Sequence, residues 1–211
     1  MSSSGSTEAA APDAATVGGG RRLAPRRRPR PVFLLIGVAL AVALGIGLFT
    51  SLGSHPTSAA PHAGGTVPSF SLPRLGGSGT VGLPADGGAG GHPAVVLFFA
   101  SWCGPCQAEI PSLAAAYHHQ QASHSRLAKV ALLGVDGNDP SNKALEFVHQ
   151  SGVTFPVGAD QTFAVTNGKF YFSYLPEAVM VDGNGTIAAI HYGALSSADL
   201  VRWQRHLLAS S

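Results

Sequence analysis

A run of apolar residues, 94–100 (AVVLFFA), ends three positions before Cys103, and Cys106 follows with two residues between the cysteines. A continuous apolar run is typical of a central strand that is covered on both faces of its sheet. The segment that follows, roughly residues 104–123, has the periodicity of a helix. The chain therefore has both of its cysteines where a buried strand turns into a helix, and this junction constrains the fold more than any other feature.

Strands and helices alternate along the rest of the chain. The sequence Asp-Gly-Asn-Gly at 182–185 predicts a hairpin between two short strands. A capping box at 196–199 begins the last helix. This order of elements predicts an α/β layered domain. The further strands are expected at residues 67–72, 80–83, 129–136, 155–160, 178–181 and 186–191, and the further helices at 139–150 and 161–168.

The 13 basic residues of the 211-residue chain are unevenly distributed. Six of them are arginines between residues 21 and 30. From residue 61 onward the chain has seven Lys/Arg against nine Asp/Glu, so this part is slightly acidic. A basic surface for nucleic acid is therefore not indicated on the globular part, and no nucleic-acid partner is expected.

The segment 32–53 is apolar, carries no charge and is long enough to cross a bilayer as a helix. Arginines on its N-terminal side predict that this side stays cytoplasmic and that the rest is exported, as in a single-pass protein of the cell membrane. A cleaved signal peptide is the alternative, with small residues at 57–59 as the cleavage site. The expected parts are a disordered basic cytoplasmic tail at 1–31, a transmembrane anchor at 32–53, a linker at 54–66 and an extracytoplasmic domain at 67–211.

Three roles are open to the cysteine pair: a structural clip, part of a metal site, or a redox reagent. A disulfide across so short a loop stabilises a fold by roughly 2 kcal/mol, which is little for a domain of this size. A closed zinc site needs four ligands. His118, 12 residues beyond Cys106, lies about 18 Å away along a helix. Ligands from elsewhere, such as His191 or Glu177, keep a metal site open.

The position of Cys103 at the start of a helix favours the redox role. The unpaired N–H groups and the partial positive charge of the first turn stabilise a thiolate, so the pKa of Cys103 should be lowered and its sulfur should attack. Cys106 lies one turn later on the same face, where it should be more buried and should resolve the mixed disulfide. Exported dithiols meet disulfides, so the predicted export adds weight to this role.

The sequence FFASWCGPCQAEIP, residues 98–111, resembles the strand–WCxxC–helix unit of the thioredoxin superfamily. The resemblance covers roughly residues 67–209. It implies a thioredoxin-like α/β fold, with a central mixed sheet flanked by helices, preceded here by one N-terminal transmembrane helix. Pro111 matches the proline that kinks the family's helix. Pro176 matches its cis-proline, and the backbone of Leu175 is thereby implied to pair with a bound substrate strand.

Two features indicate a subgroup of that superfamily. Leu97 stands where plain thioredoxins have a buried Asp, and Glu109 lies three residues after Cys106 on the same helical face. The pattern WCxPCxxE resembles the membrane-anchored TlpA/ResA group, and LPE followed by VDGNG resembles the DsbE branch. This resemblance implies that Glu109, together with Glu177, tunes the pair and accepts the proton of Cys106.

The resemblance implies an enzyme, a thiol–disulfide oxidoreductase that exchanges its dithiol with the thiols and disulfides of exported proteins. The cysteine pair is itself the redox centre, so neither an external cofactor nor a metal is expected. A membrane electron donor and a role as reductant in cytochrome c maturation, with apocytochrome c as partner, are also implied. The implied catalytic residues are Cys103, Cys106, Glu109 and Pro176, and the implied substrate contacts are Trp102, Gly104, Pro105, Leu175 and Glu177.

Three other functions fit the same residues. The Cys-x-x-Cys spacing does not set the direction of electron flow, so a general exported oxidase or isomerase stays open. A peroxiredoxin-type peroxidase would use Cys103 on peroxide, although the nearby Cys106 favours dithiol exchange. A metal-binding or copper-delivery module would hold an ion on the cysteine pair.

Overall fold

The computed structural model describes residues 60–84 and 90–210. The predicted tail and transmembrane segment, residues 1–53, lie outside the described residues. Among the helices that are described, none is long and apolar enough to cross a membrane. In this part of the chain, strands β1–β7 span Phe70–Pro73, Thr80–Leu83, Ala94–Phe99, Ala131–Gly137, Val157–Asp160, Glu177–Val181 and Ile187–Tyr192. Helices α1–α3 span Gly104–Ala122, Ser141–Gln150 and Ser197–Ala209, and a 3₁₀ turn spans Arg126–Lys129.

A mixed sheet with the strand order β5-β4-β3-β6-β7 forms the centre of the described domain. Strand β3 pairs in parallel with β4 and antiparallel with β6, and all of its side chains are buried. The apolar run is therefore the central strand, as predicted. Strands β1 and β2 form a separate antiparallel pair. The N–H of Leu75 joins this pair to β5 by donating to the carbonyl of Val157 at 2.8 Å.

The side chains of β3 alternate between two hydrophobic cores. Leu97 and Phe99 face the core that also contains residues of α1 and α3. Phe98 faces the other core, where the centroid of its ring lies 4.8 Å from that of Phe170 and 5.0 Å from that of Phe172. Buried aromatic rings remove a large apolar area from water, so the segment before β6 seals this face of the sheet.

The segment between β5 and β6 differs from the prediction, because residues 161–168 form irregular turns instead of a helix. The carboxylate of Asp160 accepts the backbone N–H groups of Val165 at 3.1 Å and Thr166 at 2.7 Å. Phe163 has a φ of +56°, which a right-handed helix does not allow. The helix prediction is wrong because the Asp160 side chain takes N–H groups that a helix would bond to its own carbonyls.

The hairpin and the last helix agree with their predictions. Strands β6 and β7 pair antiparallel, and the Asp182 carboxylate accepts the N–H groups of Asn184 at 2.9 Å and Thr186 at 2.8 Å in the turn between them. Ser196 caps α3 by accepting the N–H of Asp199 at 3.1 Å. The Asp199 carboxylate in turn bonds the backbone N–H of Ser196, which completes the predicted capping box, and it also accepts the Ser196 hydroxyl at 2.7 Å.

Residues 64–66 pair with the start of β7. The N–H of Gly64 donates to the carbonyl of Ile187 at 2.8 Å, and the N–H of Ile187 donates to the carbonyl of Gly65 at 2.8 Å. Thr66 forms an antiparallel bridge with Thr186. The last residues of the predicted linker therefore cover part of the edge strand of the sheet.

Helices α1 and α3 are joined by two buried glutamines. The amide of Gln120 donates to Oε1 of Gln204 at 2.9 Å, and the amide of Gln204 donates to Oε1 of Gln120 at 3.0 Å. The two residues are 4% and 0% exposed, respectively. Each amide satisfies the other away from water, so the loss of one leaves its partner unsatisfied.

We predict that Gln204→Leu lowers the free energy of unfolding by about 1–3 kcal/mol, because the amide of Gln120 loses its partner. The double variant Gln120→Leu/Gln204→Leu should regain most of this loss, since neither buried amide remains. Urea denaturation followed by circular dichroism measures both variants. Equal losses in the single and the double variant would contradict the paired arrangement.

Candidate active site

Cys103 is the N-cap residue of α1, and its Sγ accepts the backbone N–H of Cys106 at 3.2 Å. The two sulfurs are joined in a disulfide, so the structure is that of the oxidised form. Cys106 is fully buried and Cys103 is 4% exposed. The N-terminus of a helix carries a partial positive charge, which stabilises a thiolate at Cys103 after reduction.

A cavity of about 570 Å³ opens at Cys103. Its wall combines the residues around this cysteine with the segment before β6. Trp102 lines the cavity and is 55% exposed, and its ring meets that of Phe163 edge-on with centroids 6.4 Å apart. The small exposed fraction of Cys103 is therefore approached through this cavity. The lining residues are Trp102, Cys103, Gly104, Pro105, Phe163, Thr166, Asn167, Phe172, Ser173, Tyr174 and Leu175.

The peptide bond between Leu175 and Pro176 is cis, as predicted. Leu175 lines the cavity together with Cys103 and packs against the core that contains both cysteines. The carbonyl of Pro176 accepts the N–H of Gly193 at 3.0 Å. This bond ties the cis-proline segment to the end of β7 and holds its backbone at the cavity.

Gly104 and Pro105 form the first residues of α1, and both line the cavity. A Cβ added at Gly104 would meet no atom within 4 Å, so the space beside this turn is open to a partner. Pro105 stands in the first turn, where its missing N–H costs no helical hydrogen bond. Pro111 lies inside α1, where it removes a hydrogen bond of the helix.

The turn between β3 and α1 is bonded to its surroundings by several side chains. The backbone N–H and the hydroxyl of Ser101 donate to the Asp139 carboxylate at 2.5 and 2.7 Å. The side-chain amide of Gln107 donates to the carbonyl of Ser101 at 2.7 Å. The indole N–H of Trp102 donates to the carbonyl of Asn138 at 3.3 Å. These contacts fix the backbone that leads to Cys103.

Glu109 lies on α1 one turn beyond Cys106 and is 7% exposed. Its Oε1 accepts the N–H of Leu195 at 3.0 Å, and its Oε2 has no hydrogen-bond partner among the described residues. Burial raises the pKa of Glu109 to about 7, and the bond from Leu195 opposes this rise only in part. A carboxyl group that exchanges a proton near neutral pH therefore shares a helix face with Cys106.

Glu177 begins β6, directly after the cis-proline, and is in register with Phe98 of β3. It is 5% exposed and does not line the cavity. The structure thus places it with the buried carboxyl groups rather than with the cavity wall. Burial raises the pKa of Glu177 to about 7. Its Oε2 has no hydrogen-bond partner within residues 60–84 and 90–210.

Sequence reasoning missed the part of the cavity wall that lies between residues 163 and 174. Tyr174 lines the cavity and is 82% exposed. A Cβ at Gly137 would lie 2.7 Å from Cε1 of Phe163, so glycine at the end of β4 admits this ring. The available signal was the aromatic sequence FYFSY, residues 170–174, which ends two positions before the predicted cis-proline.

The part of the chain that the structure describes offers no ligand set for the metal site that the sequence left open. No group of three His, Cys, Asp or Glu side chains there is placed to hold a metal ion. The two cysteine sulfurs bond each other, and Nε2 of His191 pairs with the carbonyl of Ala194 at 3.1 Å. The chemistry that this geometry offers is thiol–disulfide exchange at Cys103.

We predict that Glu109→Gln flattens the pH dependence of stability. Glu109 has a pKa of about 7 in the folded chain against 4.5 for an ordinary Glu, so the folded state binds its proton more tightly. The free energy of unfolding should therefore fall as the pH rises from 4.5 to 7, by about 2 kcal/mol for this group.

Urea denaturation of the oxidised protein at pH 5 and pH 7.5 measures this effect in both chains. The matched control is Glu146→Gln, which changes an exposed carboxylate of α2 and should keep the dependence of the unchanged protein. A dependence that persists undiminished in Glu109→Gln would contradict the raised pKa.

Comparison with known proteins agrees with this geometry. Residues 63–190, more than half of the chain, match the AhpC/TSA family. The thiol-disulfide oxidoreductase ResA of Geobacillus kaustophilus (strain HTA426) is 28% identical over 178 residues, which are 84% of this chain and 92% of that protein. The thiol:disulfide interchange protein DsbE of Xylella fastidiosa (strain Temecula1) is 26% identical over 82% of this chain and 83% of that protein.

The crystal structure of a thiol:disulfide interchange protein from Chlorobium tepidum TLS, described as a thioredoxin family protein, superposes with a TM-score of 0.56. The two chains are 24% identical, and the superposed region covers 71% of this chain and 98% of the Chlorobium chain. This likeness confirms the predicted thioredoxin-like fold. The chain belongs to the AhpC/TSA family and is a thiol–disulfide oxidoreductase of the ResA and DsbE type.

Proposed function

We propose that this chain reduces disulfides in exported proteins, with the haem-attachment cysteines of apocytochrome c as the substrate class. The observation that carries the proposal is the position of Cys103, which caps α1 and lines a cavity shared with Leu175 and exposed aromatic side chains. A thiolate at a helix N-terminus beside an open groove is suited to attack a disulfide of a partner protein. The direction of electron flow and the substrate class are taken from the resemblance of the WCxPCxxE motif to the TlpA/ResA and DsbE groups.

The reaction starts from the reduced dithiol. The Cys103 thiolate attacks one sulfur of the substrate disulfide, forms a mixed disulfide and releases the other sulfur as a thiolate, which takes up a proton. Cys106 then loses its proton and attacks Sγ of Cys103, so that the internal disulfide forms and the second substrate sulfur leaves. Two electrons pass to the substrate, and the disulfide in the structure is the product state. A membrane electron donor returns two electrons to the pair.

Glu109 accepts the proton of Cys106 in this scheme. Its side chain follows Cys106 by one helical turn, and its Oε2 has no hydrogen-bond partner among the described residues. A general base works best when its pKa lies near the working pH, and burial raises the pKa of Glu109 to about 7. Glu177, which burial brings to the same range, assists from the start of β6.

The substrate binds as an extended segment along the cis-proline loop. Main-chain hydrogen bonds to Leu175 give affinity in this arrangement, and the cavity takes side chains next to the disulfide. Trp102 and Tyr174 line the cavity and remain 55% and 82% exposed. Large exposed aromatic rings beside a reactive sulfur supply the apolar contact area that a partner protein covers.

The domain works outside the cytoplasm, tethered to the cell membrane. The uncharged segment 32–53 is long enough to span a bilayer, and the arginines before it favour a cytoplasmic N-terminus. A tether of this kind keeps the dithiol close to a membrane electron donor and to proteins that emerge from the membrane.

We predict that Cys106→Ser traps the substrate. Cys103 still attacks, but no second thiol resolves the mixed disulfide, so the adduct accumulates and mass spectrometry identifies it. A peptide with an oxidised Cys-x-x-Cys-His sequence is the probe, because this sequence attaches c-type haem. Cys103→Ser is the matched control and should trap none of it. Trapping by Cys103→Ser instead, or faster turnover of hydrogen peroxide than of the peptide, would contradict the proposal.

We predict that the expressed full-length chain stays in the membrane fraction after a wash with alkaline carbonate and keeps an N-terminal tag. The uncharged segment is longer than a usual signal sequence, so it should remain as an anchor. Immunoblotting against tags at both ends measures this. A soluble product that has lost its N-terminal tag and begins near residues 57–59 would contradict the anchor.

A further inference from the structure

Residues 138 and 139, directly after β4, are bonded to the turn before Cys103. Asp139 accepts two hydrogen bonds from Ser101, one from the backbone N–H at 2.5 Å and one from the hydroxyl at 2.7 Å. The carbonyl of Asn138 accepts the indole N–H of Trp102 at 3.3 Å. The two residues directly before Cys103 are therefore bonded to two consecutive residues that follow β4.

Ser101 lies two residues before the N-cap of α1 and is bonded to the first turn of that helix. Its carbonyl accepts the side-chain amide of Gln107 at 2.7 Å, and the carbonyl of Ala100 accepts the N–H of Cys103 at 3.2 Å. A shift of Ser101 therefore moves Cys103 relative to the N–H of Cys106, which donates to its sulfur at 3.2 Å. That N–H is one of the groups that stabilise a thiolate at the helix cap.

Asp136 lies on β4, three residues before Asp139, and is 1% exposed. Its neighbours in the sheet are Phe99 of β3 and Ala159 of β5. Burial raises the pKa of Asp136 to about 8, and the neighbouring carboxyl groups of Asp139 and Asp160 raise it further.

The charged groups that face Asp136 are Asp139, on the loop after β4, and Asp160, on β5. The Asp160 carboxylate is occupied by the N–H groups of Val165 and Thr166, at 3.1 and 2.7 Å. Oδ1 of Asp136 has no hydrogen-bond partner in the described part of the chain. Of these three carboxyl groups, Asp139 is the one that is bonded to the turn before Cys103.

We propose that Asp139 is a positioning residue for dithiol exchange: its two hydrogen bonds hold Ser101, and Ser101 holds Cys103 at the cap of α1. This role rests on the proposed function and adds one residue to it. Without the Asp139 carboxylate, the backbone N–H and the hydroxyl of Ser101 lose their acceptor. Ser101 then shifts, and the Cys103 thiolate loses part of its support.

The test measures the apparent pKa of Cys103 from the rate of alkylation by iodoacetamide between pH 5 and pH 10. The reference is the reduced full-length chain with Cys106→Ser, and each variant is made in it. Asp139→Ala should raise this pKa by at least about 0.5 and slow alkylation at neutral pH about threefold, because the helix cap is displaced. Ser101→Ala keeps the backbone bond and should give a smaller rise. Asp139→Asn keeps an acceptor for Ser101 and should restore most of the reference value.

The matched control is Asp182→Ala. The Asp182 carboxylate also accepts two backbone N–H groups but lies in the turn between β6 and β7. This variant should keep the apparent Cys103 pKa of the reference.

An unchanged or lowered pKa of Cys103 in both Asp139→Ala and Ser101→Ala would overturn the proposal. A rise of the same size in Asp182→Ala would also overturn it. If Asp139→Ala fails to fold by circular dichroism, Ser101→Ala decides the outcome. Alkylation needs no protein substrate, so failure of the proposed function shows separately, as a reference chain that alkylates normally yet traps no oxidised peptide.

Discussion

Strand β3 is hydrogen-bonded on both edges and buried on both faces, and the position of the site residues depends on it. Strand β4 runs parallel to β3, and β6 runs antiparallel. The end of β4 and the start of β6 therefore lie at the same edge of the sheet as the end of β3. That edge brings Cys103, Asp139 and Glu177 together from distant parts of the sequence, and α1 begins there with the positive end of its dipole.

Three buried acids near this edge keep their protons to a higher pH than solvated carboxyl groups do. Burial is the main reason for the raised pKa of Glu109, Glu177 and Asp136. The three acids lie on different elements. Glu109 follows Cys106 on α1, Glu177 follows the cis-proline, and Asp136 lies on β4. These groups titrate in the range where a dithiol releases and binds protons as it exchanges electrons.

The sequence predicts the strand–helix junction well. A strand that is covered on both faces must be apolar at every position, and every residue of β3 is apolar and buried. The hairpin is predicted as well, since Asp-Gly-Asn-Gly at 182–185 strongly favours a tight turn. Residues 161–168 are mispredicted because the Asp160 side chain competes for backbone N–H groups. The bonds from Ser101 to Asp139 join residues 38 positions apart. Such a contact leaves no periodic pattern, so the structure is needed to find it.

The pairing of residues 64–66 with the start of β7 has a consequence for access to the sulfur. Strand β7 starts at the edge of the sheet where β6 ends, and β6 itself starts at the edge near Cys103. Residues 64–66 therefore join the domain at the end of the sheet opposite Cys103. A large folded substrate protein can contact the cavity without colliding with this segment.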